Sequence, residues 1–403
     1  MAEAQPGRRG PWPGGINNRA NETALPAGTV RDAINVDPGP SGVFTLRSGF
    51  TKSATTGALR GALSVGSSIL MADGNSLRLF STDTNTSSTL KTIIGAGRFS
   101  GDVFNDELFF CTDDECLRFK NGALRPWGVP TVTLQPTPVI AAGGLLAGEY
   151  QFAATFVDAY GEEGGTVLPQ IVTVADNAGL LFTLPTPPSG GRVRLYVAPV
   201  QGSELFLQFE GIGSFLCSTI VTDTARLETQ GLREPIPGDF ICEHDGVICI
   251  ADGQTLWLTD PLRPHLRDQS KRFFQYPARI DGIVSADNGL FVLADKTYFI
   301  VGLETDQPQQ TDILPHGGVR GTMIKTVDNF AAWMTRYGLA KSDGLGKAAL
   351  ISAANFLPGL ASHGSSGIIE RNGSQLVVTT LRSASDENSL RANDYSVAES
   401  DIL

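Results

Sequence analysis

Four histidines (His244, His265, His316, His363) and five cysteines (Cys111, Cys116, Cys217, Cys242, Cys249) would be the first choices for metal or nucleophilic chemistry. Their spacing argues against both. No histidine has a second one within metal-motif distance, and neither HExxH nor CxxC occurs. An odd cysteine count, with most of them in predicted strands, reads as buried thiols rather than a disulfide framework. It points to synthesis in a reducing cytoplasm. His265, among prolines and arginines, reads as a polar loop residue. Glycoside hydrolysis needs two carboxyl groups facing each other across a pocket. Asp113, Asp114, Glu243 and Asp245 are the available acids, but they sit in turns, where acidic side chains serve turn geometry. No Walker loop, GxGxxG or GxSxG elbow is present. No enzyme activity, cofactor or metal is expected. The candidates left are interaction residues. Arg263, Arg267, Lys271, Arg272 and Phe273 form a basic, aromatic stretch that reads either as a contact loop or as a solvated one. Trp12, Ile16 and Leu25 are the apolar residues of an otherwise Pro-, Gly- and Asn-rich opening.

The elements that must carry these residues are strands. An apolar run, a Gly-containing polar turn, a second apolar run, another turn and a third apolar run recur along the chain. Ile69-Leu70-Met71-Ala72-Asp73-Gly74, Ile248-Cys249-Ile250-Ala251-Asp252-Gly253 and Leu290-Phe291-Val292-Leu293-Ala294-Asp295 are three copies of its middle run. The runs are short, rich in Val, Ile, Leu, Phe and Thr, and bounded by Gly, Asp and Asn, which is strand-and-hairpin chemistry. Adjacent copies lie roughly 40 residues apart, the length of one four-stranded propeller blade. Short helices are expected at most in residues 347–356 and 387–399.

Between residues 131 and 227 the period changes and the predicted strands lengthen: 131–139, 148–158, 166–174, 180–184, 192–198, 204–209 and 216–222. That count in about 95 residues fits an immunoglobulin- or fibronectin-III-like sandwich. The fold class expected is therefore all-β: a β-propeller of about six blades with an inserted sandwich. Residues 1–30 form an extended arm without a core of its own. Residues 31–130 are the first part of the propeller, 131–227 the insert, 228–385 the second part, and 386–403 a polar tail. The hairpin in residues 32–47 is expected to pair with the repeat near 368–380 and so close the ring.

Three stretches carry a resemblance. Gly14-Gly15-Ile16-Asn17-Asn18, then Leu25-Pro26-Ala27-Gly28-Thr29-Val30-Arg31-Asp32, then Gly42-Val43-Phe44-Thr45-Leu46-Arg47-Ser48-Gly49-Phe50 resemble the N-termini of tailed-bacteriophage virion proteins. These include β-propeller tail and neck proteins of the nozzle and packaged-DNA-stabilisation kind. Leu256-Trp257-Leu258-Thr259-Asp260-Pro261-Leu262-Arg263-Pro264-His265-Leu266 is similar to a phrase of phage structural proteins. Asp252-Gly253-Gln254-Thr255-Leu256-Trp257 resembles the Asp-box turn of propeller sialidases only weakly, because the spacing differs and the other repeats lack it. The resemblance implies a non-enzymatic tail or neck component. Its partners would be copies of itself in a ring, neighbouring tail proteins and receptor-binding fibres.

Charge agrees with such a role. The formal net charge is −11 and only 18% of residues are charged. An acidic chain is poorly suited to neutralising phosphates, so DNA is expected to pass without tight binding. No apolar run approaches the ~20 residues of a membrane-spanning helix, and the N-terminus does not read as a signal peptide. The virion is the expected location.

Overall fold

The computed structural model describes residues 11–34, 36–38, 42–46, 56–95, 97–371 and 374–383. Among them the chain is all-β: apart from one 3-10 turn, Glu22–Ala24, every regular element is a strand. It divides into two compact units, residues 56–275 with 302–308, and residues 1–55, 276–301 and 309–403.

In the 56–275 unit, consecutive strands pair with their chain neighbours. Leu59–Val65, Ser68–Asp73, Ser76–Ser81 and Thr86–Thr92 form one antiparallel four-stranded sheet, and Ser100–Phe104, Glu107–Cys111, Cys116–Lys120 and Ala123–Pro126 a second. A third sheet contains Phe240–His244, Val247–Asp252, Thr255–Asp260 and Arg263–Asp268, with Leu232–Arg233 and Phe273–Gln275 added. The hairpins turn on residues that tolerate positive φ. Asp245 (φ 47°) and Gly246 (φ 79°) make the two-residue turn between the first two strands of the third sheet, the geometry whose twist matches paired strands.

The second sheet is buried on both faces. All five residues of Glu107–Cys111 are buried. Leu108 and Phe110 pack with Leu70 and Leu77 of the first sheet, while Phe109 and Cys111 pack with Ile241, Ile248 and Ile250 of the third. The period of two along a strand sends alternate side chains to opposite neighbours. The leading strands of the second and third sheets also touch edgewise: Ile241 N donates to Ser100 Oγ at 3.0 Å and Glu243 N to Asp102 Oδ2 at 2.8 Å.

Residues 139–217 differ. Val139–Leu145, Ala178–Thr183 and Ser214–Cys217 form a three-stranded sheet; Gly148–Val157, Gln170–Val174, Arg192–Val197 and Phe206–Gly211 form a four-stranded one. The two sheets share one core, with Phe152 and Phe182 edge to face at 5.1 Å. The first strand begins at Val139 rather than at residue 131. Pro136 and Pro138 lack the N–H that a ladder needs, and Val132 makes only an isolated bridge to Thr166.

The other unit holds two further four-stranded sheets. Gly282–Ala286, Gly289–Leu293, Thr297–Val301 and Gln309–Leu314 form one; Ile324–Lys325, Ala331–Thr335, Gly338–Ser342 and Ala348–Leu350 form the next. Phe291, Leu293, Phe299 and Trp333 make their common core. Asp287, 5% exposed, accepts from Ser342 Oγ and Gly344 N, both at 3.0 Å, and ties the two sheets. The helix expected over 347–356 is absent; that stretch contributes a strand instead. The one expected over 387–399 lies outside the described residues.

The opening segment, expected as an extended arm without a core of its own, makes contacts within its own chain. Gly15–Ile16 pairs in parallel with Thr29–Val30. Asn18 closes a two-way amide bridge: Nδ2 donates to Leu357 O at 2.8 Å and Oδ1 accepts from Leu357 N at 2.9 Å. Val36–Pro38 and Phe44–Leu46 form the expected hairpin, but as a two-stranded sheet. Ala361–Arg371 and Ser374–Ser383 form another, and the ring-closing pairing is not among the described ladders.

Candidate functional site

A cluster of paired charges lies where the two-sheet region meets the second and third sheets. The loop after Gly148–Val157 builds it. Asp158 Oδ1 accepts from Tyr160 N and Glu162 N, both at 2.9 Å, and Gly161 takes φ 90°. This tight turn lets two adjacent carboxylates serve different partners. Glu162 receives Arg118 Nη1 at 2.9 Å and also Arg118 Nη2. Glu163 receives Thr155 Oγ1 at 2.6 Å, Tyr196 OH at 2.7 Å and Arg194 Nη1 at 2.7 Å. Arg194 Nε donates to Glu210 at 2.6 Å.

Arg118 is the centre of this joint. It is 1% exposed. Besides Glu162, its Nε donates to Pro126 O at 3.1 Å and lies 3.8 Å from Glu107. Glu107 is itself held by Arg125 through two bonds of 2.9 Å, and Arg125 stacks on Tyr160 at 4.3 Å. A buried guanidinium is tolerated only with such satisfaction.

A cavity of about 480 Å³ opens beside the joint, lined in part by Glu162, Glu163, Arg194, Tyr196, Arg263 and His265. Burial raises the Glu162 carboxyl, but the hydrogen bonds and charge of Arg118 outweigh it and hold the group below its ordinary 4.5. Burial lowers His265 below the usual 6.5, so its ring is mainly neutral near pH 7. Burial, then the neighbouring Glu163, raises the Tyr196 hydroxyl. Glu162 and Glu163, which line the cavity, are each paired with an arginine.

The depressed Glu162 has a measurable consequence. A carboxyl whose folded pKa lies below its unfolded one stabilises in full above the unfolded value and loses that contribution as pH falls through the folded one. The melting-temperature gap between the protein and Glu162→Gln should therefore be complete above about 4.5 and close at more acid pH. A gap that stays constant in acid would contradict the joint.

No family model and no curated protein matches the sequence. Solved structures with some likeness include the extracellular domain of the B. thetaiotaomicron hybrid two-component system protein BT3049 (11% identity, 84% of this chain, 56% of that one, TM-score 0.25). They also include BBS1N in complex with ARL6DN (9%, 83% and 93%, TM-score 0.32) and an oligogalacturonate lyase in complex with manganese (11%, 79% and 87%, TM-score 0.26). The chain thus spans little more than half of the first of these. At such scores the likenesses carry no argument about function.

The residues singled out from sequence fall in both units. Trp12 is half-buried and stacks on Phe44 at 5.3 Å. Ile16 and Leu25 are half-buried in the same docked segment. The basic stretch is not a projecting loop. Arg263 and Arg267 lie in the strand Arg263–Asp268, and Phe273 opens the strand Phe273–Gln275. Arg263 pairs with Asp260 at 2.6 Å and lies 3.5 Å from Glu228. Arg267 is buried, stacks on Trp257 at 4.6 Å and donates to Glu234 O at 3.1 Å. Arg272 donates to Thr305 O at 3.0 Å and to Leu303 O. Lys271 is exposed. His265 sits in a strand, half-buried, rather than in a loop. Asp113 lies in a turn, as expected, and accepts from Gly97 N at 2.8 Å; Glu243 instead lies in the strand Phe240–His244 and accepts from Gly246 N at 2.8 Å.

Sequence reasoning missed the joint, because Arg118, Glu162 and Arg194 belong to no motif. It also missed an apolar row across the three-stranded sheet: Val139 stands opposite Leu181, and Leu181 opposite Leu216. These three are 64%, 38% and 43% exposed. The available signal was a loss of alternation, since apolar residues occupy both faces of these strands.

Proposed function

We propose that this chain is a non-enzymatic structural component of a tailed-bacteriophage tail or neck. In this reading the four-stranded meanders are blades of a β-propeller of about six blades, and residues 131–227 are an immunoglobulin-like insert. Support for the blade reading comes from the second sheet, packed on both faces, and from the edgewise contact of leading strands. Neighbouring blades of a propeller have these relations. The protein would act as a symmetric oligomer around the DNA channel and dock neighbouring tail proteins.

The observation that carries the mechanical role is the pairing of this charge. Buried Arg118 and Arg267 and half-buried Glu162, Glu163 and Arg194 are bonded to one another's elements or to backbone, which ties elements together. The resemblance of the opening segments and of residues 256–266 to virion proteins supports the same structural reading. The exposed row of Val139, Leu181 and Leu216 favours a second, related reading, in which the insert anchors a fibre or receptor-binding module. Large exposed apolar patches mark interaction sites.

Charge supplies the test of the channel role. With a net charge of −11, the purified protein should bind duplex DNA no more tightly than about 10⁻⁶ M near physiological salt. Fluorescence anisotropy with a labelled duplex reads this directly. Tighter, salt-sensitive binding would replace a passage role with a DNA-gripping one.

A further inference from the structure

Cys111 and Cys116 flank the turn Thr112-Asp113-Asp114-Glu115, one at the end of Glu107–Cys111 and the other at the start of Cys116–Lys120. The two residues are direct cross-strand partners, and their sulfurs are in contact at 2.7 Å. The turn closes tightly: Thr112 N donates to Glu115 O at 2.9 Å, and Thr112 Oγ1 donates to Asp114 at 2.9 Å. That backbone bond places the cysteines at a position between ladder hydrogen bonds. There the Cα atoms of opposite residues approach to about 4.5 Å, closer than at a hydrogen-bonded position, and within the range a disulfide spans.

The remaining cysteines provide a comparison within the same molecule. Cys242 and Cys249 are also cross-strand partners. Their hairpin has the two-residue turn at Asp245 and Gly246, which puts them at a hydrogen-bonded position with wider separation. The Cys242 sulfur points to Glu243 O at 3.6 Å. Cys217 lies in the core of the two-sheet region.

The surroundings of the first pair are asymmetric. Cys111 is fully buried against Trp127, Ile248 and Ile250, while Cys116 is half-buried. Burial and then the neighbouring Cys111 push the Cys116 thiol upward, with Arg267 a smaller opposing charge; what distinguishes Cys116 as the point of attack is its greater exposure.

We propose that Cys111 and Cys116 are a dithiol–disulfide couple, with Cys116 as the sulfur that meets the oxidant and Cys111 as the resolving one. The oxidant class is a low-molecular-weight disulfide such as oxidised glutathione. The Cys116 thiolate, having released its proton to water, attacks one sulfur of that disulfide and expels one glutathione thiolate. Cys111 then loses its proton and attacks the Cys116 sulfur, expelling the second. Two protons and two electrons leave the protein, one disulfide forms in it, and one oxidised glutathione becomes two reduced ones. The product staples the ends of two strands in a sheet that is packed on both faces.

The test equilibrates the full-length folded protein in glutathione buffers from reducing to oxidising, followed by acid quench, alkylation and peptide mass spectrometry. The expected result is loss of two of the five thiols, both within one Cys111–Cys116 cross-linked peptide. Cys111→Ser should accumulate a glutathione adduct on Cys116, and Cys116→Ser should leave Cys111 unmodified. Five alkylated thiols in the most oxidising buffer would overturn the proposal. So would a cross-link confined to Cys242 and Cys249, or an adduct on Cys111 in the Cys116→Ser protein. Circular dichroism of each variant before oxidation establishes that the sheet is intact.

Discussion

Replacing Arg118 with methionine should destabilise the 56–275 unit by about 3–5 kcal/mol, the cost of breaking a buried ion pair by removing one partner. Methionine fills much of the volume, so the loss reports charge rather than a cavity. What remains is a carboxylate at Glu162 with no guanidinium, and one at Glu107 that keeps only Arg125. A second change identifies the cause. In the Arg118→Met background, Glu162→Gln removes the stranded charge and should recover part of the loss, a coupling that a double-mutant cycle measures. Urea unfolding of the four proteins gives the energies. A loss under about 1 kcal/mol, the range of exposed pairs, would mean that the joint does not hold these elements.

The second large effect separates two residues that look alike in the sequence. Arg267→Glu should cost more than about 4 kcal/mol, in the range reserved for unpaired buried charge, whereas Lys271→Glu should stay within about 0.5 kcal/mol. Arg267 is 7% exposed, stacked on Trp257 and bonded to Glu234 O, and it feels the negative charges of Glu234 and Asp252 against the positive one of Arg233. A glutamate there would face like charges and lose the ring contact. Lys271 is exposed, where reversal meets mainly water. From the sequence, charge reversal at either residue is expected to leave stability nearly unchanged. Comparable melting temperatures for the two variants would restore that expectation and remove Arg267 from the core.

The contrast shows what was legible in the chain. Strand runs such as residues 69–73, 248–252 and 289–293 were readable because local composition and turn residues specify them. The change of period after Pro130 was readable for the same reason, and it coincides with the two sheets of residues 139–217. Long-range pairing was not. Nothing local in Arg118 announces Glu162, 44 residues away, and nothing in Asn18 announces Leu357. The stretch from Arg263 to Phe273 reads as a polar loop by composition. Its arginines pair with acids, carbonyls and a ring brought from elsewhere, so tertiary contacts override the local pattern. Cys111 and Cys116 were visible as residues but not as a pair, because their relation depends on the parity of the hairpin register.

The opening segment shows the same limit. Its Pro, Gly and Asn content suggests a chain without a core, yet Asn18 satisfies both backbone groups of Leu357. Burial of Trp12 against Phe44 then belongs to the protomer itself, and an assembly contact there would add to an already ordered segment.

An electron-microscopy reconstruction of the tailed particle produced with this chain tests the structural-virion assignment most directly. The account expects density for the chain as a closed, symmetric ring of copies around the axis of the tail or neck, with the two-sheet insert facing a neighbouring protein. Absence of the chain from purified particles, or its presence only as isolated copies away from the axis, would contradict it.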